Sequence, residues 1–231
     1  MKKIVFYHKN IEQSPLKDAI LINNANSDLD HRMWSELAGY KLLYDMINTK
    51  DDINEWQPFE FISLNHYRRI FDENITNKTT IPIPMIIPGT LYNQYAIYHN
   101  INDLKIMESI VKAKYPYLSE KFDEVMNGNV LIPYTIGIMP VNQFKDYWCF
   151  LYDVLSEVLK VMNISTFDEM LNRIKNDNNY IGEYKNEKPE YQARVLSFLA
   201  ERLSTLYWFY LSNLIPIYFG KVKLLEENQM I

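Results

Sequence analysis

His66, Tyr67, Arg68 and Arg69 stand in a row, directly after the apolar run "FEFISL" and Asn65. An imidazole, a phenol and two guanidinium groups form a set suited to an anion. Arginine presents a planar fork that matches two phosphate oxygens at once. Histidine can donate to a phosphate or hold a metal, and a tyrosine ring can stack on a base or a sugar. Two adjacent arginines do not share a face on a strand. On a turn, one can meet a ligand while the other braces the loop. The plainer alternative is a surface turn whose arginines pair with Asp72 and Glu73. A second apolar run, "KKIVFY", also ends in polar groups: His8, Lys9 and Asn10.

Other side chains could join such a site. Arg194 and Glu201 lie seven apart, close to one helical face, with Phe198 between them. Arg202 falls on a different face. The set reads either as a solvated flank or as a carboxylate that orients a guanidinium or grips a sugar hydroxyl. Glu36 lies between Trp34 and Leu37, and His99 precedes a helix in "IYHNINDL". Asp28 and Asp30 form an Asp-x-Asp that could hold a divalent cation against a diphosphate. The same "SDLD" also suits a helix cap. No His/Cys group has zinc spacing, and no glycine-rich phosphate loop is present.

These residues need elements to hold them. "KKIVFY" and "FEFISL" are continuous apolar runs, the pattern of strands covered on both faces. "MWSELAGYKLLYDMI" (33–47) has helical spacing. "TIPIPMIIP" (80–88) is extended, with prolines that suit an edge or loop. "NDLKIMESIVKAKYP" (102–116) reads as a helix capped by Asn102 and stopped by Pro116. "NVLIPYTIGIMP" (129–140) gives one or two short strands. Long helices follow over 142–162, with Phe144, Trp148, Leu151, Leu155, Val158 and Met162 inward, and over 190–212. "IPIYFGKVKLL" reads as a closing strand. Strands alternating with helices predict an α/β class, in which ligands bind beyond the carboxyl ends of the strands. If the strands 3–7 and 59–64 run the same way, their two polar clusters meet in one crevice.

The 231 residues suit one domain. Apolar residues make up 48% and charged residues 23%, the composition of an ordinary globular chain. A net charge of −5 argues against a nucleic-acid partner, though not against a local basic pocket. The single cysteine, Cys149, cannot form an internal disulfide and suits a reducing cytosol. Its place in "DYWCFLYDVL" reads as a packed thiol. No run approaches the ~20 apolar residues of a spanning helix, and the apolar start before His8 is too short for a signal peptide. "LYWFYLSNLIPIYFG" (206–220) reads as a core helix end followed by a strand, or as a surface resting on a membrane interface.

Six blocks in order carry a resemblance: "KKIVFYHKN", "WSELAGYKLLYD", "ISLNHYRRIF", the segment from "QYAIYHNINDL" to "MNGN", "GIMPVNQFKDYWCFLYDVL" and "YQARVLSFLAERL". Over nearly its whole length the chain resembles a bacterial family of capsule, exopolysaccharide and lipopolysaccharide O-antigen glycosyltransferases, catalogued as a domain of unknown function. It departs from that family in having "YTIGIM" where an Asn-Met pair precedes the long helix.

The resemblance implies a transferase that moves a sugar from a nucleotide-sugar donor to a growing surface glycan. It implies a single GT-A-like, Rossmann-related α/β domain over 1–231, with a central mostly parallel or mixed sheet flanked by helices. His66, Tyr67, Arg68 and Arg69 then stand where such folds usually keep a metal-binding Asp-x-Asp. Together with His8, Lys9, Arg194 and Arg202 they would bind the donor phosphates, and preorganised guanidinium groups would stabilise the departing diphosphate. On that reading no cofactor is required, and a divalent manganese or magnesium ion on Asp28 and Asp30 is the alternative. An inverting transfer needs a base for the acceptor hydroxyl; Glu201, Glu36 and His99 are candidates, ahead of Asp153, which lies deep in an apolar helix. The expected partners are the donor and a glycan or lipid-linked glycan acceptor, with peripheral membrane contact and no nucleic acid. The expected place is the cytoplasm, at the inner face of the membrane. A phosphotransferase using the same arginines, or a non-catalytic nucleotide- or carbohydrate-binding protein, are the competing functions.

Overall fold

Residues 1–8, 16–49, 56–71, 77–177 and 188–225 are described by the computed structural model. Along the chain come β1 (Lys2–Tyr7), β2 (Ala19–Asn23), α1 (His31–Trp34), α2 (Glu36–Asn48), β3 (Phe61–His66), β4 (Arg69–Phe71), β5 (Thr80–Pro82) and β6 (Met85–Ile86). There follow α3 (Leu91–Tyr98), α4 (Ile101–Lys114), α5 (Ser119–Asn127), β7 (Val130–Leu131), β8 (Gly137–Pro140) and α6 (Val141–Met162). The last are α7 (Phe167–Asn176), α8 (Pro189–Gln192), α9 (Val195–Leu211), β9 (Tyr218–Gly220) and β10 (Val222–Leu224). Two units divide the chain. The first comprises Met1–Ile83, Tyr134–Cys149 and Ile215–Ile231; the second comprises Pro84–Pro133 and Phe150–Leu214.

In the first unit β1 is central because Ile4, Val5 and Phe6 are fully buried. Each such side chain contributes about 1.5–3 kcal/mol of burial. β2 and β3 flank β1, and both run parallel to it, with Phe6 opposite Ile22 and His66. The "AILIN" strand has no counterpart among the sequence expectations. β3 also pairs antiparallel with β4 and β8, β8 antiparallel with β5, and β5 parallel with β9. The class is α/β with a mixed sheet flanked by helices. Gly39 lets α2 lie against β1, since a Cβ there would collide with the Phe6 ring and the Asn24 amide.

The sheet path β10-β4-β3-β8-β5-β9 has a special feature. Its two ends, β9 and β10, are separated only by Lys221. Following the pairings, both run in the direction of β3, so they read as one bent strand. Its first half pairs with β5 and its second half with β4. The path therefore returns to where it began, around a cluster of Phe71, Ile136 and Ile138 packed against Phe61, Tyr134 and Val222. One closing strand was expected here, and the break at Lys221 makes it two.

Several expected boundaries move. The helix expected over 33–47 is two helices, broken at Ser35, whose φ of 52° is a left-handed kink. The helix expected over 190–212 is also two, α8 and α9, parted at Ala193 and Arg194. Asn100, rather than Asn102, caps α4: its side chain accepts the Asn102 N–H at 2.9 Å. Cys149 is exposed rather than packed, with its sulfur 3.7 Å from the Tyr44 hydroxyl.

In the second unit α4 is tied to α7 by the Asp103–Arg173 ion pair, and Asn100 donates to Asp177. β6 and β7 form a separate two-stranded pair. Asp153 does not lie deep in an apolar helix. Its carboxylate is part-exposed and takes hydrogen bonds from Lys114, at 2.5 Å, and Tyr115, at 2.8 Å. An acid spent in this way is a poor base. Among the described residues no helix is long and apolar enough to cross a membrane.

Candidate functional site

The parallel pairing of β1 and β3 sends both carboxyl ends to one edge of the sheet. The Tyr67 N–H continues the ladder to the Phe6 carbonyl at 3.0 Å. This brings His8 against the hairpin: its ring centroid lies 5.2 Å from that of Tyr67 and 6.4 Å from that of His66. His31, at the start of α1, stacks with His8 at 6.4 Å. Three of the chain's four histidines thus gather at this edge. His31 carried no signal in the sequence; only its place after the helix-capping Asp30 could have flagged it.

His66 opposes Arg69 across the ladder, so Tyr67 and Arg68 form a two-residue turn from β3 into β4. The His66 Nδ1 accepts the Arg68 backbone N–H at 3.3 Å. A neutral His66 therefore carries its proton on Nε2. The Tyr67 ring is buried among Val5, Leu16 and Ile70, with Leu225 alongside. It is a packing residue here rather than an open stacking surface. Arg68 and Arg69 are half-buried, and the Nε of each is buried without a hydrogen-bond partner among the described residues. The Arg69 guanidinium lies 4.3 Å above the Tyr134 ring. Asp72, Glu73 and Lys9 lie outside the described residues.

Asn65 anchors this hairpin. It is fully buried, and its amide nitrogen donates to the Ile4 carbonyl (3.2 Å), the Ser63 carbonyl (3.0 Å) and the Ser63 hydroxyl (3.0 Å). Its oxygen accepts the Phe71 N–H at 2.9 Å. One side chain thus ties β1, β3 and β4 together.

Glu36 opens α2, and its carboxylate accepts the Thr135 hydroxyl at 3.1 Å. Tyr40 and Tyr147 both donate to the Thr135 carbonyl at 3.0 Å. Burial, with Tyr147 nearby, pushes the Tyr40 phenol well above its usual range, so it stays a donor. Tyr134 supports Arg69 and the next residue, Thr135, engages Glu36. No sequence pattern marks this two-residue bridge; its positive φ at Tyr134, 67°, is a feature of the fold.

Asp28 and Asp30 do not fit a divalent cation. Asp30 caps α1 through the Arg32 N–H at 2.9 Å and grips the Arg32 guanidinium at 2.6 Å. That hydrogen-bonded guanidinium holds its carboxyl below the ordinary range. Asp28 lies 3.7 Å from Lys41. Among the described residues no group of three or more His, Cys, Asp or Glu could hold a metal ion.

The second unit holds the other candidates. Arg202 is only 1% exposed, so the solvated-flank alternative fails for it. It donates to the Phe198 carbonyl at 3.0 Å, to Glu201 at 3.2 Å and to Gln94. A guanidinium enclosed and engaged in this way holds α3 against α9. Arg194 sits at the break before α9, 5.6 Å from the Tyr191 ring. The His99 ring stacks on Phe198 at 3.9 Å, and its Nδ1 lies 3.2 Å from the side-chain Oε1 of Gln192. Burial, then the Arg202 charge, lowers the imidazole to about 3. It is neutral at any working pH and too weak a base to deprotonate a hydroxyl efficiently.

Comparisons with known proteins bear on the fold. A family model described as a domain of unknown function (DUF4422) matches residues 76–184, a stretch that begins after Arg69. No curated protein matches the chain. The apo structure of WbbM, a bifunctional glycosyltransferase, is similar over 98% of this chain at 14% identity, with a TM-score of 0.73. The chain covers 45% of that structure's length, and the likeness is one of fold.

Proposed function

We propose that the chain is a glycosyltransferase that moves a sugar from a nucleotide-sugar donor to a growing capsular, exo- or lipopolysaccharide glycan, its 231 residues acting as one GT-A-like domain. One observation carries the reading. The carboxyl ends of β1 and β3 assemble His8, His66, Arg68 and Arg69 at one sheet edge, where ligands of such sheets bind. The fold likeness to WbbM adds support.

In this reading the acceptor hydroxyl oxygen bonds to the anomeric carbon. The bond from that carbon to the diphosphate breaks, and its electron pair leaves with the diphosphate. Arg68 and Arg69, both half-buried at the turn, and His66, through Nε2–H, meet the charge that develops there. The hydroxyl proton passes to a carboxylate, for which Glu36 is the first choice because it shares a bridge with Arg69. Glu201 instead holds Arg202 in place. Lys9 and Arg194 remain proposed phosphate contacts. No divalent cation is required. The reaction belongs to the cytoplasm, at the membrane's inner face, where a lipid-linked glycan acceptor would be met.

A screen of sugar nucleotides for thermal stabilisation, with and without EDTA, tests this. The expected result is a stabilising donor whose effect survives EDTA and disappears in Arg68→Ala/Arg69→Ala. Incubation with that donor and acceptor glycans should release the nucleoside diphosphate. Strict dependence on manganese would overturn the arginine mechanism. A stabilising ligand recovered unchanged would instead make the protein a binding module.

A further inference from the structure

We propose that the ribbon β9–Lys221–β10 is a docking surface for an anionic lipid bilayer. The proposal does not rest on the transferase reading. Along the ribbon Gly220 is buried and Val222 packs into the closed cluster with Phe71. By the two-residue period of a strand, Phe219, Lys221 and Lys223 share the outward face. On that face Phe219 is 61% exposed; Leu224, also exposed, falls by the same period on the face of Val222. Ile83, whose N–H bonds to the Gly220 carbonyl at 3.2 Å, extends the apolar area beside them and is 50% exposed. Tyr218, also exposed, carries the Lys78 ammonium 4.6 Å from its ring centre.

Scattered single exposed hydrophobes need no explanation, but these are neighbours on one short ribbon. A phenylalanine and an isoleucine beside two lysines match a bilayer interface. The apolar groups enter the headgroup boundary, and the lysine stems lie along them with their charges outward. Lys221 and Lys223 are exposed and make no ion pair among the described residues. In a chain of net charge −5, this local excess of cations points to a negative surface. Glu226 and Glu227 follow in the sequence but lie outside the described residues. A second copy of the chain is the competing occupant.

The test is co-sedimentation of the full chain with vesicles of phosphatidylcholine alone and of phosphatidylcholine mixed equally with phosphatidylglycerol. The wild type should partition onto the anionic vesicles and come off at about 1 M salt, where screening shortens to about 3 Å. Phe219→Ser/Lys221→Glu/Lys223→Glu should weaken that partitioning about tenfold or more while the thermal midpoint stays within a few degrees. If the triple variant fails to fold, Lys221→Glu/Lys223→Glu repeats the test with the apolar group intact. Three results would each overturn the proposal: no partitioning by the wild type, partitioning unchanged in the variants, or a dimer in light scattering that the variants dissolve. The transferase assay is indifferent to all three, since donor hydrolysis in solution needs no bilayer.

Discussion

Arg69 and Arg202 show how one side-chain type divides between two tasks. Arg69 is half-buried and rests on the Tyr134 ring, which positions its guanidinium at the turn. Arg202 also faces a ring, Tyr95 at 5.1 Å, but it is buried and both of its terminal nitrogens are committed, to Phe198, Glu201 and Gln94. Nothing in the sequence separates them, because neither a polar row after a strand nor a place on a helix says what a side chain packs against. The same burial decides His99. Its folded value of about 3 lies below the ordinary 6.5, so between these values the unfolded chain binds the extra proton. Stability from this residue is therefore complete above about pH 6.5 and is lost as pH falls towards 3, with a slope of up to about 1.4 kcal/mol per pH unit. His99→Gln keeps a donor for Gln192 and cannot titrate. Chemical denaturation at stepped pH should show a shallower acid loss in the variant, and identical slopes would contradict the assigned environment.

At the scale of elements, the hairpin from β3 to β4 is what turns a row of polar residues into a site. Asn65 supplies donors at one end of its amide and an acceptor at the other, which no carboxylate can do. Asn65→Asp keeps the bond from the Phe71 N–H but sets an acceptor against the Ile4 and Ser63 carbonyls. The expected loss is about 2 kcal/mol or more of unfolding free energy, measured by urea titration. An unchanged midpoint would show that the hairpin is held by something else. β1 and β3 were legible because a strand buried on both faces must be apolar throughout, as Ile4, Val5, Phe6, Ile62 and Leu64 are. β4 was not, because its turn, Tyr67-Arg68, has none of the glycine or asparagine chemistry that marks hairpins. The convergence of His8 with His66 followed from strand direction alone. His31, Tyr134 and Thr135 reach the site from distant segments and leave no local pattern.

At the scale of the whole molecule, the bent strand at 218–224 finishes the sheet path from both ends. A chain truncated after Ile215 would bare the hydrogen-bonding edges of β4 and β5 together and remove Val222 from the closed cluster. Truncation should yield aggregated protein with fast amide exchange in β4, read by mass spectrometry; a soluble product with native exchange there would show that the bent strand is dispensable. The same strand end reaches the arginine turn. The Leu225 N–H bonds to the Arg68 carbonyl at 2.9 Å, and Leu225 packs beside Tyr67. Those partners are about 150 positions apart, a contact of very long range. During synthesis the arginine turn must therefore wait, without its backing, until the ribosome has delivered these far later residues. A nascent chain holding only the first strands would have the motif and yet no grip on a ligand.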